Sequence, residues 1–514
     1  MKSNSADCRF PVLLSLVLGL SFLIYLPLAA RILYLSPEGD DDAPCAAGSV
    51  FRTLSRAAGC LASGDTLLVR EGTYAGGVYI LVKATPEAPI LIRGESLSAV
   101  VSGSGAELDA IRIQDASYIT LDRLTVLKAN RAGCAVRFSN HVTITNCNIG
   151  DNATWGIFTS FSDDLRFEGN ECYGSHEQHG IYHSNSGDRF IIRGNRVHDN
   201  SGNGIHLNGD PEMVQPGSDG VLNWGVVERN IIWGNGQSGG AGINMTHVHD
   251  ILVRNNLIYK NYAAGMTIYQ DTGTFEQGSK RVAVLGNTVY FAKGYGRACI
   301  NIQPTTEKVL VAGNIFVCGD NQRGAIEVES DHLPTIISDR NILWGADSSR
   351  IIERKDNLLS IQSWRSLSGN DLHSILADPQ FADIPGADYR LRDTSPAVDA
   401  AMPLDSVKAV LERLGGFEWI LAKLDSLPYE DFLQHRRPAG GGPDIGACES
   451  GTEPEKLYDF NGDGRLGLSD VLSLILLARR DPAAGRLDVD ADGRYSAADV
   501  LRLLLIICGR VKIL

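Results

Sequence analysis

Gly194-Asn195-Arg-Val-His-Asp-Asn-Ser-Gly-Asn-Gly204-Ile-His-Leu207 holds the two phrases that recur through the middle of this chain. The first is a dipeptide ending in Asn and followed by a short, mostly apolar run. Its members are Gly169-Asn170, Gly194-Asn195, Arg229-Asn230, Arg254-Asn255, Gly286-Asn287 and Gly313-Asn314, with Asn spacings of 25, 35, 25, 32 and 27. The second follows after a polar turn: Gly156-Ile-Phe-Thr, Gly180-Ile-Tyr-His, Gly204-Ile-His-Leu, Gly242-Ile-Asn-Met, Gly265-Met-Thr-Ile, Cys299-Ile-Asn-Ile and Ala325-Ile-Glu-Val. A period near 25 with three short β-runs per period is the pattern of a β-solenoid. Parallel stacking buries alternate side chains in one continuous core, and each coil adds about 4.8 Å. Asn at a fixed phase predicts an amide ladder at one bend, each side chain bonding the coils above and below. A β-sandwich of short strands gives no reason for that fixed phase.

Strand alternation then decides what faces out. In Gly180-Ile-Tyr-His the Ile points in, Tyr182 out and His183 in. The same register predicts an outer column of Phe158, Tyr182, His206, Asn244, Thr267, Asn301 and Glu327. A second outer column is predicted at Ser160, Ser184, Asn208, Thr246, Tyr269, Gln303 and Glu329. Two coils are long, and their extra residues, about 208–223 and 269–281, border this face. Aromatic rings beside amides and hydroxyls suit sugars, which offer an apolar face and a rim of hydroxyls. Tyr182, Asn208, Asn244 and Tyr269 are the candidate substrate-binding residues. Seven of the eleven histidines lie between 176 and 249. None has the spacing of a recognised zinc site, and His206 is the outward one.

Residues 33–75 run Leu-Tyr-Leu-Ser-Pro-Glu-Gly-Asp, then an amphipathic helix from Phe51, then Ser63-Gly-Asp-Thr-Leu-Leu-Val-Arg-Glu-Gly-Thr-Tyr74. This resembles the N-terminal cap of secreted right-handed parallel β-helix proteins. Such a cap plugs the open end of a solenoid core. In pectate-lyase-like helices the active groove runs along the strand after the ladder strand, so the resemblance makes the Tyr182 column the groove floor. The turns entering it, with His176, His179, Lys260, Lys293 and Arg297, would form one wall. His206, Lys260 and Glu327 are the catalytic candidates. A lyase needs a base (Lys260, Lys293 or His206) and a cation, such as a further Ca2+ in the groove, at the uronate carboxylate. A hydrolase needs two carboxylates, and Glu327, Glu329, Asp210 and Asp271 are available.

Net charge is −14, from 47 basic and 61 acidic residues, which argues against a nucleic-acid binder held by phosphate contacts. Residues 1–30 read as an export signal, with Lys2 and Arg9 before an apolar run from Val12 to Leu26. Of ten cysteines, Cys45 and Cys60 bracket a short amphipathic segment and are the disulfide candidates; most others sit inside repeat strands as small core residues.

Near the C-terminus, Asp459-Phe-Asn461-Gly-Asp463-Gly464-Arg465 through Asp470 matches Asp488-Val-Asp490-Ala-Asp492-Gly493-Arg494 through Asp499. Side-chain oxygens at positions 1, 3, 5 and 12, Gly at 6 and a carbonyl at 7 are what a calcium loop supplies. The tandem resembles a type I dockerin, which implies two structural Ca2+ ions and a cohesin-type partner. Positions 10 and 11 (Leu468-Ser469 and Ala497-Ala498) are not the familiar hydroxyl pair. The expected plan is an all-β right-handed parallel β-helix with a cap helix, plus a small α-helical dockerin-like module. Its parts are a signal (1–30), cap and first coils (31–89), helix (90–345), C-terminal cap region with a helical insertion (346–450), linker (451–456) and dockerin-like domain (457–514). The expected protein is secreted, and binds and cleaves a polysaccharide as lyase or hydrolase. The alternative is a non-catalytic, glycan-binding surface protein.

Overall fold

The computed structural model describes residues 30–105, 108–319 and 323–451, together with 471–475, 500 and 503. Both calcium-loop repeats, apart from those few positions, and the export segment lie outside the described residues. Among these residues three long sheets of 13, 11 and 12 strands run the length of the molecule, each coil giving one strand to each. Pairing between coils is parallel and in register, as in Tyr182–His206 and His206–Asn244. The inward residues form one unbroken core, from Leu33 and Leu35 through Ile205 and Ile243 to Ile352 and Trp364. Stacking begins upstream of residue 90, since Thr66–Val69 already pairs with both neighbouring coils.

Helix α1 (Leu54–Cys60) is capped by Thr53, whose side chain accepts the Arg56 N–H, and buries Leu54, Ala57 and Ala58 over the first coil. The Cys45–Cys60 disulfide ties that helix to the preceding loop. Six further cysteines (134, 147, 172, 299, 318 and 448) are buried. No helix among the described residues is long and apolar enough to cross a membrane.

The amide ladder forms with one correction. Asn170, Asn195, Asn230, Asn256, Asn287, Asn314 and Asn341 each donate from the side chain to, and accept from, adjoining coils, as in Asn230 Nδ2 to Asn256 Oδ1 at 2.9 Å. The rung in the fourth coil is therefore Asn256, not Asn255. Every rung follows a residue in the left-handed region: Gly194 (φ 65), Arg229 (φ 55), Asn255 (φ 54) and Arg340 (φ 55) among them. Asn255 supplies this turn because asparagine tolerates it. A second ladder, unforeseen from the repeat, runs Asn200–Asn235–Asn261 five residues downstream.

At the far end, α2 (Ile361–Ser368) seats Trp364, fully buried, on the last coils. The chain then folds back along the outside. Helices α3 (Leu404–Leu414) and α4 (Glu418–Ser426) press Leu411, Phe417 and Ile420 onto Leu252, Ala283 and Leu310 of the largest sheet. Phe381 and Tyr389 cover the ladder sheet beside Leu257 and Ile342.

Candidate functional site

The outer column lies on successive strands of the 12-stranded sheet: β1 (Trp155–Ser160), β2 (Ile181–Ser184), β3 (Ile205–Asn208), β4 (Ala241–Thr246), β5 (Ala264–Tyr269), β6 (Ile300–Ile302), β7 (Ile326–Val328) and β8 (Ile352–Arg354). Phe158, Tyr182, His206, Asn244, Thr267, Asn301 and Glu327 stand in one row. The row continues into Glu353 at one end and through Ala135 to Arg112 and Tyr79 at the other. The recurring glycine at β1 to β5 has a steric reason. A Cβ on Gly204 would meet Ile232 Cγ2 at 2.7 Å and the Gly242 carbonyl at 2.8 Å.

The second column is only partly outward. Ser160, Ser184 and Thr246 are buried, and Ser184 Oγ donates to the Thr159 carbonyl at 2.6 Å. The following residues, Phe161, Asn185 and His247, take φ values of 51, 61 and 50. The chain is already turning there, so alternation no longer sets where the side chain points. Asn208 and Tyr269 do reach the face. Asn208 Nδ2 donates to the Tyr182 hydroxyl at 2.9 Å, and Asn244 Nδ2 lies 3.4 Å from the Tyr269 hydroxyl. The four predicted binding residues thus form two contacting pairs.

The catalytic candidates are spread out. Glu327 is four strands from His206 in the row, about 19 Å at about 4.8 Å per strand. Lys260 lies in the coil of β5, two strands from His206. It is exposed, with φ 51, and precedes the second-ladder residue Asn261 as Asp199 and Gly234 precede Asn200 and Asn235. Lys293 and Arg297 are exposed on the same side. His183 is a core residue, its Nδ1 2.7 Å from Thr159 Oγ1 and its Nε2 3.1 Å from the Gly187 carbonyl.

Aromatic residues gather at the centre. Phe158 and Tyr182 stack at 5.8 Å, Tyr182 and His206 at 5.1 Å. Trp155, which the repeat did not single out, lies on Phe158 at 4.5 Å, and the Arg131 guanidinium lies over the Phe158 ring, 5.5 Å from its centroid. Phe138 and Phe161 stack at 5.4 Å on the strand exits, both with φ near 50. The two long loops meet beside the row. Gln277 Nε2 donates to the Asp219 carbonyl at 2.9 Å, and Asp271 pairs with His247 at 2.7 Å. An open cleft of about 420 Å³ lies between Tyr269, Asp271, Gln303 and Thr305.

Charge changes sign along the row. Asp109 is shared by Arg112 and Arg131 at 2.6 and 2.7 Å near the N-terminal coils. Glu327, Glu329 and Glu353 stand at the other end. Burial pushes the Glu327 carboxyl up to about 7, despite Arg323 at 3.1 Å, and raises Glu353 as well. One oxygen of each has no hydrogen-bond partner. Glu353 repeats the Ile-Glu phrase of β7, a signal the sequence carries just past residue 345. Burial lowers His179 to about 4, and His206 well below the usual imidazole value. Among the described residues no group of three or more His, Cys, Asp or Glu side chains is placed to hold a metal ion.

Residues 95–239 match the family model described as a right-handed beta helix region. The chain is 27% identical over 439 residues to the uncharacterized protein YwoF of Bacillus subtilis, covering 71% of this chain and 92% of that one. It is 28% identical over 244 residues to pectate lyase PEL9 of Emericella nidulans, covering 41% of this chain and 58% of that one. Among solved structures, pectate lyase Pel9A is similar with a TM-score of 0.53 at 16% identity, covering 82% of this chain and 96% of that one. The register, the ladders and this likeness agree: the chain is a right-handed parallel β-helix of the pectate-lyase-like type.

Proposed function

We propose that this protein binds a polysaccharide along the outer row of the 12-stranded sheet. The observation that carries the reading is the run Trp155, Phe158, Tyr182 and His206, flanked by the Asn208–Tyr182 and Asn244–Tyr269 pairs. Rings give apolar platforms for sugar faces, and the paired amides and hydroxyls suit the hydroxyl rim. The relative named pectate lyase supports a carbohydrate ligand. Binding is measured by calorimetry against homogalacturonan, alginate, rhamnogalacturonan and xylan. Tyr182→Ala should weaken binding about tenfold or more, as loss of a central aromatic contact does. Unchanged affinity in that variant, or no binding across the panel, overturns the reading.

A second reading is cleavage. Glu327 and Glu353 stand in register on adjacent strands and offer the two carboxyl groups that a hydrolase uses, while the relative named pectate lyase supports elimination. New reducing ends without ultraviolet-absorbing product indicate hydrolysis; unsaturated product indicates a lyase. Neither product leaves the binding role alone.

The module from 457 is proposed to hold two structural Ca2+ ions and to attach this chain to a cohesin-type protein outside the cell, after export directed by residues 1–30. Support for this is ligand spacing and the apolar leader alone.

A further inference from the structure

Arg137 ends the strand Ala132–Arg137, in register with Gln114 on one side and Ser160 on the other. Among the described residues it forms no ion pair, and its Nε has no hydrogen-bond partner. The side chain is only half-buried, so its head stays within reach of solvent. The guanidinium lies over the Phe138 ring, 5.5 Å from the centroid. Its charged neighbours give it little support. Arg112 and Arg131 share the single carboxylate of Asp109. Asp115, at the strand exit, takes a bond from Gln114. Burial, then the fields of Arg131 and Arg112, lower the hold of Arg137 on its proton below the ordinary arginine value. A guanidinium stays charged all the same. Three guanidiniums therefore have one carboxylate in contact, and Arg137 is the one left over.

The ring beneath it is also out of the ordinary. Phe138 is 40% exposed and stacks on Phe161, with φ values of 49 and 51. The coils on either side place Asp115 and Asn185 at this position, residue types that tolerate the left-handed region. Strained backbone of this kind concentrates at ligand sites. Trp155 and Phe158 belong to the same coil as Phe161, so this rim continues the aromatic run. Beyond Phe158 the row holds no cation as far as Glu327. Burial keeps His206 neutral, with its Nδ1 3.1 Å from His179 Nε2, and Asn244, Thr267 and Asn301 are uncharged. Lys260, Lys293 and Arg297 stand on the turns rather than in the row.

We propose that Arg137, with Phe138 and Phe161, forms a subsite for one acidic sugar of an otherwise neutral glycan. The guanidinium takes the anionic oxygens of a carboxylate or sulfate ester, which its planar fork matches. The two rings take the apolar face of the sugar. The subsite rests on the polysaccharide reading and narrows its ligand to a sparsely charged chain. A glycan charged on every unit finds counter-charge at this end of the row and meets Glu327, Glu329 and Glu353 at the other.

Calorimetry on the full chain with four octasaccharides tests this: neutral xylan, xylan with a single glucuronate, xylan with a single sulfate ester, and homogalacturonan. At least one singly charged chain should bind about tenfold or more tighter than neutral xylan, the scale of one charge-assisted contact. It should also bind tighter than homogalacturonan, and the gap to neutral xylan should narrow in added salt. Which of the two singly charged chains wins identifies the anionic group. Arg137→Gln should remove most of the preference, and Arg137→Lys should keep part of it. Phe138→Ala should weaken the charged chains as well. Arg137→Gln breaks no hydrogen bond of the free protein, so its melting midpoint should hold; a marked fall assigns Arg137 a structural role and overturns the subsite. Equal affinity for charged and neutral chains, or a preference untouched in Arg137→Gln, overturns the subsite and leaves the polysaccharide reading standing. Homogalacturonan binding tightest overturns the sparsely charged ligand. If none of the four binds, the polysaccharide reading fails and takes the subsite with it.

Discussion

Glu327 is a carboxyl that the fold keeps protonated close to neutrality. Only 3% of it is exposed, Glu353 stands beside it in register, and Arg323 reaches just one of its oxygens. Its value in the folded chain is raised to about 7 from an ordinary 4.5. A raised carboxyl favours the folded state at low pH. That contribution is complete below about 4.5 and is lost as pH climbs to about 7. Glu327→Gln should therefore raise the melting midpoint at pH 8 by roughly 2 °C or more and much less at pH 4.5, as seen by calorimetry at both values. A variant no more stable than the wild type at pH 8 contradicts this assignment. At this scale the sequence was readable where alternation rules. Tyr182, His206 and Glu327 stand where a period of two puts them. Trp155 escaped it because it opens β1 ahead of the recurring glycine, and His179 because it lies on the turn before β2, whose direction no period sets.

The ladder shows what an element can and cannot reveal in advance. A recurring Asn announced the ladder, yet in the fourth coil two asparagines compete. The winner is decided by the left-handed residue before the rung. Asn256 accepts from Asn230 and donates to Asn287 and to the Val227 carbonyl, all buried. Asn256→Ala should cost about 3 kcal/mol, since several buried partners lose their bonds together. Asn255→Gly keeps the turn and loses mainly the bond to the Glu430 carbonyl, so about 1 kcal/mol is expected. Urea unfolding of the two variants checks the order; equal losses would contradict the rung assignment. The returning helices offer another element-scale test. Phe417 is fully buried between α3, α4 and the largest sheet. Phe417→Ala should cost about 3–5 kcal/mol locally and open the 404–427 segment to limited proteolysis well before the coils are cut.

For the whole molecule, the paired loops at Asp459–Asp470 and Asp488–Asp499 predict that calcium binds and stabilises the C-terminal module. Calorimetry should count two ions per chain, one in Asp463→Ala or Asp492→Ala, and chelator should lower only the transition of that module. An unchanged melting profile with chelator rejects calcium binding. The fold class, the facing row and its register were determined by the sequence alone, because period-two alternation and a coil repeat are local patterns that parallel stacking copies from strand to strand. Three features were decided only by the tertiary structure: the pairing of His179 with His206, the meeting of the two long loops, and the fold-back of α3 and α4 along the outer wall. Each joins residues across turns of unequal length, and the direction in which such a turn carries its side chains depends on what it packs against.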